Sequence, residues 1–378
     1  MNTSQKLYQA GQSVWYDNIQ RKLLANGEME RMISQGEIYG VTSNPTIFMK
    51  AISGAEEYED SLAALARAGL SAEESFYRLA VEDIQAATDL FAPLYARTGG
   101  GDGYVSLEVN PRKANDTAAT IEEALRLWIT VNRPNLMIKI PATPAGLPAI
   151  TAAIRQGVNV NVTLIFSRQR YAQVVDAYLR GLEARLLDGL PVDRIASVAS
   201  FFVSRVDTKV DALLEKIISG GGPRAAEAAA LRGKAAVANA RLVYADFQEI
   251  FSGARFERLR QHGARKQRPL WASTSTKNPE YSDVMYVEEL VGPDTVNTVP
   301  PQTLTALLDH AAVRPGSLES GLEEARQALA ALQPLGISFD QVTQELEDEG
   351  VQAFADSFTD LLETVEQRRT ERSREGSS

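Results

Sequence analysis

The sequence predicts an α/β protein, a closed (β/α)8 TIM barrel with additional C-terminal helices. Three observations lead there. Short apolar or alternating runs recur between longer amphipathic segments, eight such runs can be counted, and their polar residues share one parity and gather late in each run. Strands that alternate with helices pair in parallel, and eight such units close into a ring covered outside by helices.

The runs, in order, are SVWYDNI at 13–19, EIYGVTSN at 37–44, YVSLEV at 104–109, NLMIKIPA at 135–142, VNVNVTLIF at 158–166, IASVASFFV at 195–203, RPLWAST at 268–274 and DTVNTV at 294–299. Segments between them place apolar residues at helical spacing, as at 167–187 behind the N-cap candidate Ser167. An open doubly wound sheet is the competing architecture. It lacks its fingerprint here, because GGGDGY at 99–104 precedes a strand, and there is no P-loop motif. Residues 1–314 are therefore expected to form the barrel domain and 315–378 a helical acidic extension packed on it. In that extension Phe339, Val342 and Leu346, then Phe354, Phe358, Leu361 and Val365, form stripes at helical spacing, and the last residues, RRTERSREGSS, read as disordered.

Composition narrows the chemistry. The chain has no cysteine, which excludes a disulfide framework, a thiolate nucleophile and cysteine metal sites, and points to the cytoplasm. No signal-like segment opens it and no 18 apolar residues run together, so neither secretion nor a membrane is expected. The net charge is −10, and residues 319–378 carry 14 acids against 5 bases, leaving a nearly neutral body with no basic stripe for nucleic acid. The acidic tail reads as a solvated face. The two histidines, His262 and His310, stand in surface or helix-end contexts, so no metal site is expected and chemistry must run on Asp, Glu, Lys, Ser, Thr, Asn or Arg.

Side chains alternate across a strand. Ser106 and Glu108 share one face against Val105, Leu107 and Val109. Met137 and Lys139 oppose Leu136, Ile138 and Ile140, and Asn159, Asn161 and Thr163 oppose Val158, Val160, Val162 and Leu164. With helices outside, the greasy face belongs under them and the polar face turns inward. Asp17, Asn44, Glu108, Lys139, Asn161, Thr163, Ser200 and Ser273 all fall late in their strands, where a barrel has its active-site mouth.

Lys139 is the most informative residue. Of ten lysines it alone lies in an apolar strand run, where an ammonium is costly to bury, and a lysine held neutral is a nucleophile. Beside Asp17 and Glu108 the expected reaction is carbinolamine and Schiff-base formation with a carbonyl compound. A structural ion pair explains the same pattern, and parity leaves both readings open.

The motif text goes further. GVTSNPTIF at 40–48, NLMIKIPAT at 135–143, VNVTLIFS at 160–167 and SFFVSRVD at 200–207 resemble, in this order, the transaldolase family, Schiff-base sugar-phosphate enzymes of the class I aldolase kind, over about residues 14–298. The resemblance implies Lys139 as the Schiff-base lysine, Asp17 as the acid/base at the C4 hydroxyl, and Glu108 with Thr163 as holders of a catalytic water. It implies Asn44 and Asn161 as partners of substrate hydroxyls, Ser200 and Phe202 as walls, and Arg205 with Ser273 as phosphate binders. The family's second arginine, one residue beyond that serine, is absent from WASTSTKNP, and Lys277 is the candidate replacement.

The implied activity is transfer of a dihydroxyacetone unit between sugar phosphates in the pentose phosphate pathway, for instance from sedoheptulose 7-phosphate to glyceraldehyde 3-phosphate, with no cofactor. An aldolase releasing free dihydroxyacetone, a non-catalytic sugar-phosphate binder, and one half of a fusion with an isomerase are the alternatives. Monomer and homodimer both stay open.

Overall fold

Valine, isoleucine and leucine set between small polar residues suit strands covered on both faces. In the computed structural model, which describes residues 1–375 with side chains to residue 370, they form β1 (Gln12–Tyr16), β2 (Val105–Glu108), β3 (Leu136–Pro141), β4 (Val160–Ile165), β5 (Ser197–Phe202), β6 (Arg268–Ala272) and β7 (Thr295–Val299). All pairs are parallel, in the order β1-β7-β6-β5-β4-β3-β2.

The remaining run, expected at 37–44, shrinks to a bridge that closes the ring. Val41 pairs with Tyr16 on one side and Val105 on the other. Tyr16 N–H donates to Gly40 O at 2.9 Å, and Ser106 N–H donates to Val41 O at 3.0 Å. The segment presses so near β1 that a Cβ on Gly40 would sit 2.6 Å from the Trp15 ring. It ends early because Asn44 already caps the helix Pro45–Ile52, accepting from Ile47 N–H at 3.0 Å.

Alternation holds through Thr163 and then breaks. The β4–β5 register shifts between Val162 and Ile165, with Leu164 at φ 61°, a bulge at the rim. Leu164, grouped by alternation with the outer face, instead reaches the rim, where its Cδ2 lies 3.0 Å from where Gly350 would carry a Cβ.

Gly350 belongs to the helix Phe339–Glu375, which lies over the C-terminal strand ends. Val342, Leu346, Phe354, Phe358, Leu361 and Val365 are its buried stripe, with Phe358 edge-on to Phe76. Its acids do not simply face water. Glu347 holds Arg170 at 2.9 Å, and Lys209 holds Glu345 at 2.8 Å and Glu349 at 2.5 Å. The terminal run read as disordered continues this helix through Glu375, and Arg368 donates to Ala55 O at 3.1 Å. Residues 376–378 lie outside the described residues. Among the described residues no helix is long and apolar enough to cross a membrane.

Candidate active site

A cavity of about 470 Å³ opens at the C-terminal strand ends, lined by Asp17, Asn44, Lys139, Ser200, Phe202, Arg205, Ser273 and Lys277 among others. Eight of the eleven candidate residues thus share one hollow. Glu108, Asn161 and Thr163 stand behind it, buried in the barrel wall.

The strand register explains their closeness. Glu108 is level with Lys139 across β2 and β3, and Lys139 is level with Asn161 across β3 and β4. The Lys139 amine is 3.6 Å from Glu108 Oε2 and donates to Ser43 O at 3.2 Å, with the residue only 4% exposed. Burial pushes the Glu108 carboxyl up to about 7, opposed by the Lys139 charge and reinforced by Asp17. Burial likewise raises Asp17, which reaches the cavity yet lies deep in the ring, while Lys139 and a 2.6 Å hydrogen bond from Thr42 pull it back.

Asn161 donates to Ser106 Oγ at 3.0 Å and accepts from Ser200 Oγ at 2.6 Å, a chain that fixes its amide. Both oxygens of Glu108 and the Thr163 hydroxyl are buried without a hydrogen-bond partner. Buried orphans of this kind call for bound water. Asn44 combines both readings the sequence allowed, since its oxygen caps a helix while the residue lines the hollow.

Toward the outer rim the lining is cationic. Arg205, in the first turn of Ser204–Gly220, rests 5.3 Å from the Phe202 ring centre and makes no ion pair among the described residues. Lys277 is held down by burial and by the like charges of Arg205 and Lys50. Ser273 is bonded to Ser204 Oγ at 2.9 Å and sits at φ 55°, a backbone conformation uncommon for serine that places it at the rim.

The sequence reading missed Lys50, Thr42 and Phe354, all on the cavity wall. Thr42 carried a signal, since it shares parity with Asn44. Lys50 follows Thr46 by one helical turn on the face toward the mouth. Phe354 carried none, because its ring arrives from the far end of the chain and stands 5.6 Å from the Lys139 amine.

Two larger hollows exist. One of about 1150 Å³ lies between helices Gly146–Arg155 and Arg168–Leu187, with Arg155 paired to Asp188 and Arg180 to Asp176. The other, about 890 Å³, is at the opposite barrel end, where Asp102 accepts from Trp15 at 2.7 Å and faces Arg268. Neither is lined by a buried lysine beside a buried carboxylate.

Residues 14–365 match the family model described as Transaldolase/Fructose-6-phosphate aldolase. The chain belongs to that transaldolase family. It is 51% identical to the Transaldolase of Thermobifida fusca, over 96% of this chain and 97% of that one. It is 50% identical to Transaldolase 1 of Streptomyces avermitilis, over 96% and 94%, and 48% identical to the Transaldolase of Mycobacterium ulcerans, over 94% of each. Membership of the transaldolase family makes this chain an enzyme, of the transferase class those names denote.

Proposed function

We propose that this enzyme moves a dihydroxyacetone unit from a ketose phosphate, such as sedoheptulose 7-phosphate or fructose 6-phosphate, to an aldose phosphate through a Schiff base on Lys139. The observation that carries the reading is the buried Lys139 amine 3.6 Å from a carboxylate whose pKa stands near 7. A carboxyl that ionises there can serve as the acid for dehydration of the carbinolamine that the Lys139 amine forms.

The sequence of events follows from the groups in place. Lys139 adds to the ketone carbon, and Glu108 with Thr163, through a water between them, delivers a proton to the carbinolamine hydroxyl, which leaves as water as the C–N double bond forms. Asp17 takes the proton of the C4 hydroxyl as the C3–C4 bond breaks, the iminium accepts the electron pair as an enamine, and the aldose phosphate carrying C4 leaves. The acceptor aldehyde then meets C3, Asp17 returns its proton to the new hydroxyl, and water releases the product ketose. Asn44 and Asn161 hold hydroxyls, since an amide donates and accepts without titrating. Arg205, Ser273 and Lys277 take the phosphate, Arg205 by its forked donors and Lys277 as a point charge.

All these groups come from one chain, so a monomer suffices for the site. The reading places the enzyme in the cytoplasm and in pentose phosphate metabolism. Borohydride added with fructose 6-phosphate is expected to leave a stable adduct on Lys139, located by peptide mass, and Lys139→Ala should lose both adduct and turnover. A near-normal rate in Lys139→Ala would sink the imine chemistry.

A further inference from the structure

We propose that Phe354, on the C-terminal helix, determines whether the unit held on Lys139 passes to an acceptor or is lost to solvent. The inference rests on the Schiff-base reading above. Phe354 is 5% exposed, lines the mouth cavity, and centres its ring 5.6 Å from the Lys139 amine. The amine also meets polar groups of the barrel, donating to Ser43 O, standing 3.6 Å from Glu108 and interacting electrostatically with Asp17. The ring is an apolar part of the mouth cavity's wall close to the amine.

That part of the wall is held fast. Glu347 and Arg170 anchor the helix before Phe354, and Ser357 accepts from Thr46 at 2.9 Å just after it. At Gly350 the helix lies close against Leu164, Phe166 and Arg205, a Cβ there standing 3.0 Å from Leu164 Cδ2. The helix is thereby pinned on both sides of the ring.

Once C3–C4 has broken, the enamine has two fates. In transfer, C3 forms a bond to the acceptor's carbonyl carbon and the carbonyl oxygen takes the proton. In loss, C3 takes a proton from solvent, water adds to the resulting iminium carbon, the C–N bond breaks, and dihydroxyacetone leaves with the Lys139 amine restored. Water for the carbinolamine steps is served on the buried Glu108–Thr163 side, so normal turnover needs none past Phe354. A benzene ring offers a proton relay no hydrogen-bond donor, and its face favours the iminium cation. It makes apolar a part of the cavity wall near the amine, from which a solvent proton would otherwise reach C3.

The test is the ratio of dihydroxyacetone released from fructose 6-phosphate alone to sedoheptulose 7-phosphate formed when erythrose 4-phosphate is present as acceptor. Phe354→Ala is expected to raise that ratio about tenfold or more, equivalent to lowering the protonation barrier relative to transfer by one decade in rate, with the borohydride adduct on Lys139 retained. Phe354→Leu, which keeps bulk without the ring, should raise it less, and it carries the test if the alanine variant does not fold. A ratio within about twofold of the parent in a folded, adduct-forming variant overturns the assignment of Phe354. Absence of the adduct in the parent enzyme overturns the Schiff-base reading itself, a separate failure.

Discussion

Lys139 and Glu108 are the residues on which the rest depends. Glu108 binds its proton more tightly in the folded state, with a pKa of about 7 against the ordinary 4.5. Its contribution to stability is therefore complete below pH 4.5 and is lost as pH rises through 7. Glu108→Gln should gain on the parent by up to about 3 kcal/mol across that window in urea unfolding. In kinetics, the parent's kcat/KM should show an ionisation near pH 7 that the glutamine variant lacks, with kcat lowered about 10²- to 10⁴-fold. An unchanged pH profile would remove Glu108 from the proton traffic. Lys139 was legible beforehand because a lone lysine in an apolar strand is conspicuous, and Glu108 because parity put it on the same face. The register that sets them side by side is not written in either strand.

Among the elements, the helix Phe339–Glu375 changes meaning most between sequence and structure. Its apolar stripe was plain from spacing, but its acids read as a solvated face, and three of them instead clamp it to Arg170 and Lys209. The Arg170–Glu347 pair is largely buried, with side chains 12% and 7% exposed. Removing one partner strands a buried charge, so Arg170→Ala should cost about 3–5 kcal/mol in urea unfolding, and Arg170→Ala with Glu347→Leu should recover much of it. A loss below about 1 kcal/mol would mean the pair behaves like a surface contact. The second predicted strand shows a different limit of sequence reading. Its eight-residue run was a sound strand signal, yet a capping asparagine, a proline and the Trp15 ring against Gly40 reduced it to one bridging residue, Val41.

Over the whole molecule, the distribution of charge matters more than its sum. The chain carries −10, yet its mouth gathers Lys50, Lys139, Arg205 and Lys277. Such a concave cationic site draws a phosphate through a field that salt screens over about 10 Å at 0.1 M. Raising ionic strength from about 0.05 to 0.5 M should therefore lift KM for fructose 6-phosphate roughly threefold or more while kcat holds, because the chemistry lies deeper than the rim. A flat KM would show that these cations do not hold the phosphate.

What the sequence determined by itself was the alternation of strands with helices and the shared parity of Lys139, Glu108, Asn161 and Thr163, because both are local periodicities that any window of a few residues displays. Only the tertiary structure decided the bulge at Leu164, the cluster of Lys50 with Arg205 and Lys277, and the roof carrying Phe354 over the amine. Those depend on which distant surfaces meet, as Thr46 and Ser357 do across 311 residues of chain, and no local pattern encodes that meeting.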